Sequence, residues 1–214
     1  MGDAAASMDR MYRWQRHIYD LTRKPYLLGR DLLISELRPP TGGSILEIGC
    51  GTGRNLLSAS RLYPGRRWFG LDVSAVMLGK AQANAAERAP AERILFRQAD
   101  ATNFDPEHLF GVSQFDRVYV SYALSMIPEW RSVLEAGLRA TAPRGSLLVA
   151  DFGDQAGLPG LAKLVLNRWL EAFDVHPRID LRRAMNLGAA AQGGMLTDFR
   201  SLYRGYAAFG RIEL

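Results

Sequence analysis

The sequence predicts an α/β fold: a doubly wound, mostly parallel sheet with an antiparallel strand pair at its C-terminal end and a helical lid at its N-terminal end. Three observations carry this. Between residues 44 and 150, short apolar runs alternate with stretches of helical spacing. A glycine-rich segment, residues 49–53, joins the first apolar run to the first helical stretch. Near the C-terminus two strand signals follow one another with only a turn between them.

The elements read in order as follows. Residues 8–38 have helical character, with Met8, Met11, Tyr12, Ile18 and Tyr19 on one face and Arg10, Arg13, Trp14 and His17 on another. Pro25 divides this region, so that a second helix covers Tyr26 to Leu37, ended by Pro39-Pro40-Thr41-Gly42-Gly43. Ser44 to Ile48 is a strand, Asn55 to Tyr63 a helix, Arg67 to Leu71 a strand, and Ser74 to Arg88 a helix with Ser74 as its N-cap. Ile94 to Gln98 and Arg117 to Ser121 are strands, the latter after the turn Gln114-Phe115-Asp116. Pro128 to Ala140 is a helix, Pro143-Arg144-Gly145 a turn, and Ser146 to Ala150 the fifth strand. In the tail, Leu161 to Phe173 is an amphipathic helix with Lys163, Asn167 and Glu171 along its polar side. Ile179 to Ala191 is another helix, and Thr197 to Tyr206 and Ala207 to Leu214 are the last two strands. Residues 1–214 are expected to form one domain, with 1–38 as a helical cap and 40–214 as the core.

Composition narrows the functional classes. The chain has 214 residues, 48% of them apolar, enough for a full core. Its single cysteine, Cys50, excludes an internal disulfide framework and points to a reducing cytoplasm. No apolar run approaches the roughly 20 residues needed to cross a bilayer, and residues 1–7 lack a signal-peptide core. No metal site is expected. The formal charge is +5, compatible with anionic partners, but the arginines are dispersed rather than gathered into a tract.

The most specific signal is Ile45-Leu46-Glu47-Ile48-Gly49-Cys50-Gly51-Thr52-Gly53-Arg54-Asn55. Its glycines permit a sharp turn and close backbone approach to a ligand, and the following helix presents its amides to an anionic group. The G-x-G-x-G spacing differs from the G-x-G-x-x-G of dinucleotide-binding folds. Asp72 closes the second strand about 20 residues past the loop, where a carboxylate can accept ribose hydroxyls. Asp100 closes the third, at a place that suits an adenine amino group. Either aspartate alone reads as a cap or turn residue; their placement at successive strand ends reverses that reading.

This pattern resembles the class I S-adenosylmethionine-dependent methyltransferases over roughly residues 40–152. The resemblance implies a Rossmann-like core and S-adenosyl-L-methionine as cofactor, with S-adenosyl-L-homocysteine as product. It places Gly49, Gly51 and Gly53 beside the methionine part, Asp72 at the ribose, Val73 and Met77 near the adenine, Asp100 and Ala101 at the adenine edge, and Ser121 near the methionyl end. Asn55, Tyr12, Tyr19 and Lys24 complete the candidate cofactor set.

For the methyl acceptor, the segment Ser121-Tyr122-Ala123-Leu124-Ser125-Met126-Ile127-Pro128 lacks the Asp/Asn-Pro-Pro-aromatic tetrad of amino-methylating nucleic-acid enzymes. Cys50, inside the cofactor loop, is misplaced for cytosine C5 chemistry. Nucleic acid is therefore not expected as a partner. The segments Met8 to Lys24, Tyr26 to Asp31, Cys50 to Asn55, Ser121 to Pro128 and Ser201 to Ala207 together resemble the bacterial betaine-lipid N-methyltransferases over nearly the whole chain. That resemblance implies trimethylation of diacylglyceryl-homoserine to diacylglyceryl-N,N,N-trimethylhomoserine. It implies a lipid substrate at an anionic membrane surface, a peripheral cytoplasmic location, and coupling to an aminocarboxypropyl-transferring enzyme. Other readings are a phosphatidylethanolamine or small-molecule amine methyltransferase, a silent S-adenosylmethionine binder, or an RNA-binding accessory domain. Tyr12, Tyr19 and Tyr122 are the catalytic candidates, because aromatic faces stabilise a methylammonium cation; Tyr203 and Tyr206 are further aromatic candidates. A core stripe explains Tyr12 and Tyr19 equally well. His17 and His176 are weak candidates for a general base, and Lys24 and Arg204 for a cation that holds the substrate carboxylate.

Overall fold

A computed structural model describes residues 27–88 and 94–214. The lid segment, with Tyr12, His17, Tyr19 and Lys24, lies outside the described residues.

The elements are α1 (Arg30–Glu36), β1 (Ser44–Ile48), α2 (Arg54–Leu62), β2 (Arg67–Asp72), α3 (Ala75–Arg88), β3 (Ile94–Gln98), α4 (Pro106–Phe110), β4 (Phe115–Ser121), α5 (Trp130–Arg139), β5 (Thr141–Phe152), α6 (Gly160–Ala172), α7 (Leu181–Ala191), β6 (Met195–Leu202) and β7 (Ala207–Glu213), with a 3-10 turn at Leu124–Met126. Seven strands form one sheet in the order β3-β2-β1-β4-β5-β7-β6. β1 to β5 run parallel, and β7 pairs antiparallel with both β5 and β6. This is the expected mostly parallel sheet with an antiparallel C-terminal pair.

The apolar runs are nearly continuous because the sheet is covered on both faces. Successive residues alternate between two cores. Leu46, Ile48, Val118, Val120, Leu147 and Val149 meet α5 and α7 through Trp130, Val133, Leu134 and Met185. Ile45, Tyr119, Leu148 and Ala150 meet α1, α2 and α3 through Leu33, Ile34, Leu56 and Leu78. Strand order reverses between β1 and β4, and such a switch point opens a crevice at the carboxyl ends of the strands.

Several boundaries differ from the sequence reading. β6 stops at Leu202, so Tyr203 to Tyr206 form the turn. Tyr203 and Arg204 have φ of 51° and 60°, in the left-handed region that extended backbone avoids. The expected turn at Pro143 lies inside β5 instead: the pairing slips from Phe115↔Thr141 to Arg117↔Ser146, a bulge that absorbs Arg144 at φ 65°. The sequence reading missed α4, although Asp105 caps it by accepting from Glu107 N and His108 N, Pro106 opens it, and Gly111 ends it left-handed. The fifth helix begins at Trp130, not Pro128. The face of α6 also departs from expectation: Leu161, Leu164 and Val165 are exposed, while Lys163 and Asn167 are half-buried.

Candidate functional site

The strand ends build the site one after another. Beyond β1, Gly49 N and Cys50 N both donate to Leu71 O at 2.9 Å, which ties the loop to the end of β2. Gly53 N then closes a tight turn on Cys50 O at 2.9 Å. Gly49 has φ +71°, and a Cβ there would sit 2.7 Å from that of Ala123, so only glycine fits between the loop and the segment after β4. Gly51 also has a left-handed φ, +52°, but a Cβ there would meet nothing within 4 Å; its open side faces the cavity. Asn84 of α3 braces the loop by donating to Thr52 O at 3.1 Å.

Asp72, closing β2, accepts from Gly51 N on Oδ2 at 2.8 Å and from Ser74 N on Oδ1 at 2.9 Å. Its carboxylate thus links the glycine loop to the start of α3, where Ser74 Oγ accepts from Met77 N as the N-cap. Asp100, after β3, accepts from Thr102 N at 2.9 Å and Thr102 Oγ1 at 2.7 Å.

Glu47 supports the loop from below. It is buried, accepting from Asn55 Nδ2 at 2.7 Å and from the Tyr119 hydroxyl at 3.0 Å. Burial pushes its pKa up to about 8, against the lowering effect of both hydrogen bonds, with the nearby Asp72 charge adding to the rise. Burial raises the Cys50 thiol as well, with the charges of Asp72 and Glu47 adding to it, which suits a packing residue rather than a nucleophile.

The opposite wall comes from the segment after β4. Tyr122 stands at φ 54°, donates its hydroxyl to Leu28 O, and sets its ring edge-on to Phe152 with centroids 4.8 Å apart. Burial, with the Asp151 charge, raises its pKa, so it remains a neutral phenol. The 3-10 turn beyond it is fixed from behind. Buried Asp151 accepts from Ser125 N at 3.1 Å, and Arg178 donates to Leu124 O at 3.0 Å and Ile127 O at 2.8 Å.

These walls enclose a cavity of about 540 Å³, within the range of small-molecule sites. Of the residues singled out from sequence, Gly49, Gly51, Asn55, Asp72, Val73, Met77, Asp100, Ala101, Ser121 and Tyr122 line it. Gly53 is set back, with its would-be Cβ 3.1 Å from Ala81 and Phe96. Ser121 Oγ is buried and has no hydrogen-bond partner among the described residues. Sequence reasoning missed Leu27, Arg30, Met126, Ile127 and Glu129, all of which reach the cavity. It also proposed residues that stand elsewhere. Arg204 is exposed on the β6–β7 turn, Tyr203 is exposed beside it, and His176 pairs with Asp174 at 3.0 Å on the surface. Tyr206 packs on Phe152 with centroids 5.8 Å apart, outside the cavity lining. Among the described residues, no cluster of His, Cys, Asp and Glu is arranged to hold a metal ion, and no helix is long and apolar enough to cross a membrane.

Residues 45–145 match the family described as "Methyltransferase domain". An O-methyltransferase of Penicillium expansum is 28% identical over 64% of this chain and 48% of its own length. A demethylmenaquinone methyltransferase of Clavibacter sepedonicus is 26% identical over 90% of this chain and 87% of its own. The geranyl diphosphate C-methyltransferase of Streptomyces coelicolor A3(2), solved with S-adenosyl-L-homocysteine, superposes with a TM-score of 0.67 at 12% identity, covering 86% of this chain and 77% of that one. The chain spans about half the length of the fungal relative. The methyltransferase-domain match spans residues 45–145, somewhat under half of the chain, and the sheet that carries it has the Rossmann-like fold of the superposed methyltransferase.

Proposed function

We propose that the chain is an S-adenosylmethionine-dependent N-methyltransferase that acts on the amine of a membrane lipid, converting diacylglyceryl-homoserine to its trimethylated betaine. On this reading residues 1–214 work as one domain, with 1–38 as a cap over a core of 40–214.

The cavity residues fit the cofactor. Ser121 lines the cavity, and its buried Oγ, without a hydrogen-bond partner among the described residues, calls for one. The open side of Gly51 admits a group against the backbone, Asp72 and Asp100 supply hydroxyl and amine acceptors, and Val73, Met77 and Ala101 supply an apolar slot. We assign Asp72 to the ribose, Val73, Met77, Asp100 and Ala101 to the adenine, and the glycine loop with Ser121 and Asn55 to the methionyl part. The bound cofactor supplies an electrophilic methyl group. The chain's residues hold the acceptor in line with it and keep water out, which is the main demand of such a transfer. A primary ammonium has a reference pKa of about 10.4, and an apolar wall lowers it toward the neutral amine that reacts. Tyr122, Met126 and Ile127 provide that wall.

The observation that carries the lipid reading is α6. Its inner residues Leu166, Trp169, Leu170 and Phe173 pack in a cluster that includes Tyr122 and Met126, both lining the cavity. Its outer residues Leu161, Leu164 and Val165 are 76%, 54% and 63% exposed, beside Lys163 and Arg168. An apolar face with basic neighbours suits the interface of an anionic bilayer, and here it adjoins the cavity wall. A soluble acceptor gives no reason for that placement. The resemblance of the segments around Tyr26–Asp31 and Ser201–Ala207 to betaine-lipid enzymes supports the amine.

The test is purified protein with S-adenosylmethionine and diacylglyceryl-homoserine in vesicles, followed by mass spectrometry. Mono-, di- and trimethylated lipid should accumulate in turn, faster when the vesicles carry anionic lipid. Turnover of phosphatidylethanolamine, a phenol or a soluble amine, with diacylglyceryl-homoserine left unmodified, would overturn the assignment.

A further inference from the structure

We propose that Arg30 is the residue that receives a carboxylate inside the cavity, a role for which the sequence offered Lys24 and Arg204. The inference rests on the cavity being the methyl-transfer site proposed above. Arg30 is the first residue of α1, held at the cavity edge by two anchors. Gly29 turns the chain at φ +90° with no room to spare, since a Cβ there would lie 3.0 Å from Leu202 Cδ1. Leu28 O accepts the Tyr122 hydroxyl. Arg30 thereby lines the cavity together with Leu27, Tyr122 and Met126.

Its two edges differ. Nε and Nη2 face Asp31 Oδ1 at 3.4 and 3.3 Å, long contacts to a carboxylate that is itself 90% exposed. Nη1 is buried and has no hydrogen-bond partner among the described residues. The Arg30 side chain as a whole is 13% exposed. A buried guanidinium edge without an acceptor is unfavourable, and native proteins satisfy such groups. The planar fork matches a carboxylate in charge and geometry. The proposed reaction brings two molecules with an α-carboxylate into the cavity: the methionyl end of the cofactor and the homoserine headgroup of the acceptor. Arg30 adjoins the segment from Ser121 to Met126, where those two ends meet on this reading.

The experiment separates the two sources. Wild type, Arg30→Gln and Arg30→Lys are titrated calorimetrically with S-adenosylhomocysteine and with 5′-methylthioadenosine, which lacks the amino-acid carboxylate. The KM is then measured for diacylglyceryl-homoserine and for its carboxyl methyl ester. If the cofactor supplies the carboxylate, Arg30→Gln weakens S-adenosylhomocysteine by about tenfold or more, leaves methylthioadenosine unchanged, and Arg30→Lys recovers part of the loss. If the acceptor supplies it, both nucleosides bind as before, KM for the lipid rises by about tenfold, and the ester is insensitive to the substitution. Equal weakening of both nucleosides, or no change in any measurement, overturns the proposal. A wild-type protein that binds neither nucleoside overturns the reading of the cavity and this inference with it. Should Arg30→Gln fail to fold, Arg30→Lys against the same pair of nucleosides decides alone, since a merely structural cation would not distinguish them.

Discussion

The two walls of the cavity are made by different means. The wall from β1, β2 and β3 is backbone held by local bonds: Gly49 and Cys50 hang from Leu71 O, and the Asp72 carboxylate ties Gly51 to Ser74. The wall from α1 and the segment after β4 is made of side chains, Arg30, Tyr122, Met126, Ile127 and Glu129, each brought in by a different packing arrangement. The first kind of wall is determined by local spacing and suits a ligand common to many enzymes. The second depends on tertiary packing and suits a ligand particular to this one.

The largest expected effect breaks the first wall. Gly51→Val places a branched side chain at φ +52° in open cavity space. The backbone strain costs about 1–3 kcal/mol, so the protein should remain folded. S-Adenosylhomocysteine affinity should fall about 100-fold, ~3 kcal/mol. Calorimetry on a variant with native circular dichroism checks this, and unchanged affinity would remove the loop from the cofactor site. Gly49→Val is the contrast: a Cβ already lies 2.7 Å from Ala123, so thermal stability should collapse as well.

The next effect lies behind the second wall, on the helix packed against it. Leu161→Asp combined with Val165→Asp changes the outer face of α6 without touching the cavity lining. Full burial of either side chain is worth about 1.5–3 kcal/mol, so even partial insertion predicts roughly tenfold weaker sedimentation with anionic vesicles. Nucleoside affinity should stay the same. Vesicle binding that is equal for the wild type and the double variant would detach α6 from the membrane.

The same contrast explains what was legible in the sequence. β1 to β5 and the glycine loop could be read because each is encoded within a few residues. Asp72 and Asp100 could be read because they end strands at the carboxyl edge of the sheet, and both line the cavity, whereas Gly53, His176, Tyr203, Arg204 and Tyr206 do not. Arg30 was illegible because only the packing of Leu33, Ile34 and Leu37 into the core beneath the sheet brings α1 to the site. Tyr203-Arg204-Gly205-Tyr206 scored as strand because its aromatics carry β propensity, and Gly205 alone signalled a turn. Part of the apolar residues of α6 point outward, against the usual rule for a surface helix, which is why periodicity placed Glu171 rightly on the exposed side but not Lys163 and Asn167.

A smaller effect tests the foundation of the first wall. Glu47 holds its proton up to about pH 8, whereas in the unfolded chain it ionises near its ordinary value of 4.5. Below pH 4.5 both states are protonated and the contribution of Glu47 is complete. Between these limits the folded chain binds the extra proton, so stability falls as pH rises, by at most about 1.4 kcal/mol per pH unit. Glu47→Gln keeps an acceptor for Asn55 and, with the Tyr119 hydroxyl now accepting from the amide N–H instead of donating, removes the titration. Its denaturation midpoint should therefore lose this part of the pH dependence between pH 5 and 8. Parallel profiles for the two proteins would show that Glu47 is ionised in its niche.

The smallest effect concerns Tyr122, where the second wall meets α1. The residue holds a left-handed backbone at φ 54° and gives its hydroxyl to Leu28 O, so it joins the wall through a bond facing away from any substrate. Tyr122→Phe preserves the ring against Phe152 and removes only that bond, at a cost of about 0.5–1.5 kcal/mol. If the ring alone serves the acceptor, as a neutral aromatic surface, kcat should change by no more than a few-fold. KM for the lipid should rise slightly as the entry to α1 loosens, moving Arg30 with it. A loss of kcat by about two orders of magnitude at unchanged stability would instead mean that the hydroxyl leaves Leu28 during turnover and takes part in the chemistry, because proton transfer by a positioned side chain contributes on that scale. Measuring kcat, KM and unfolding temperature on the one variant separates a wall from a catalyst.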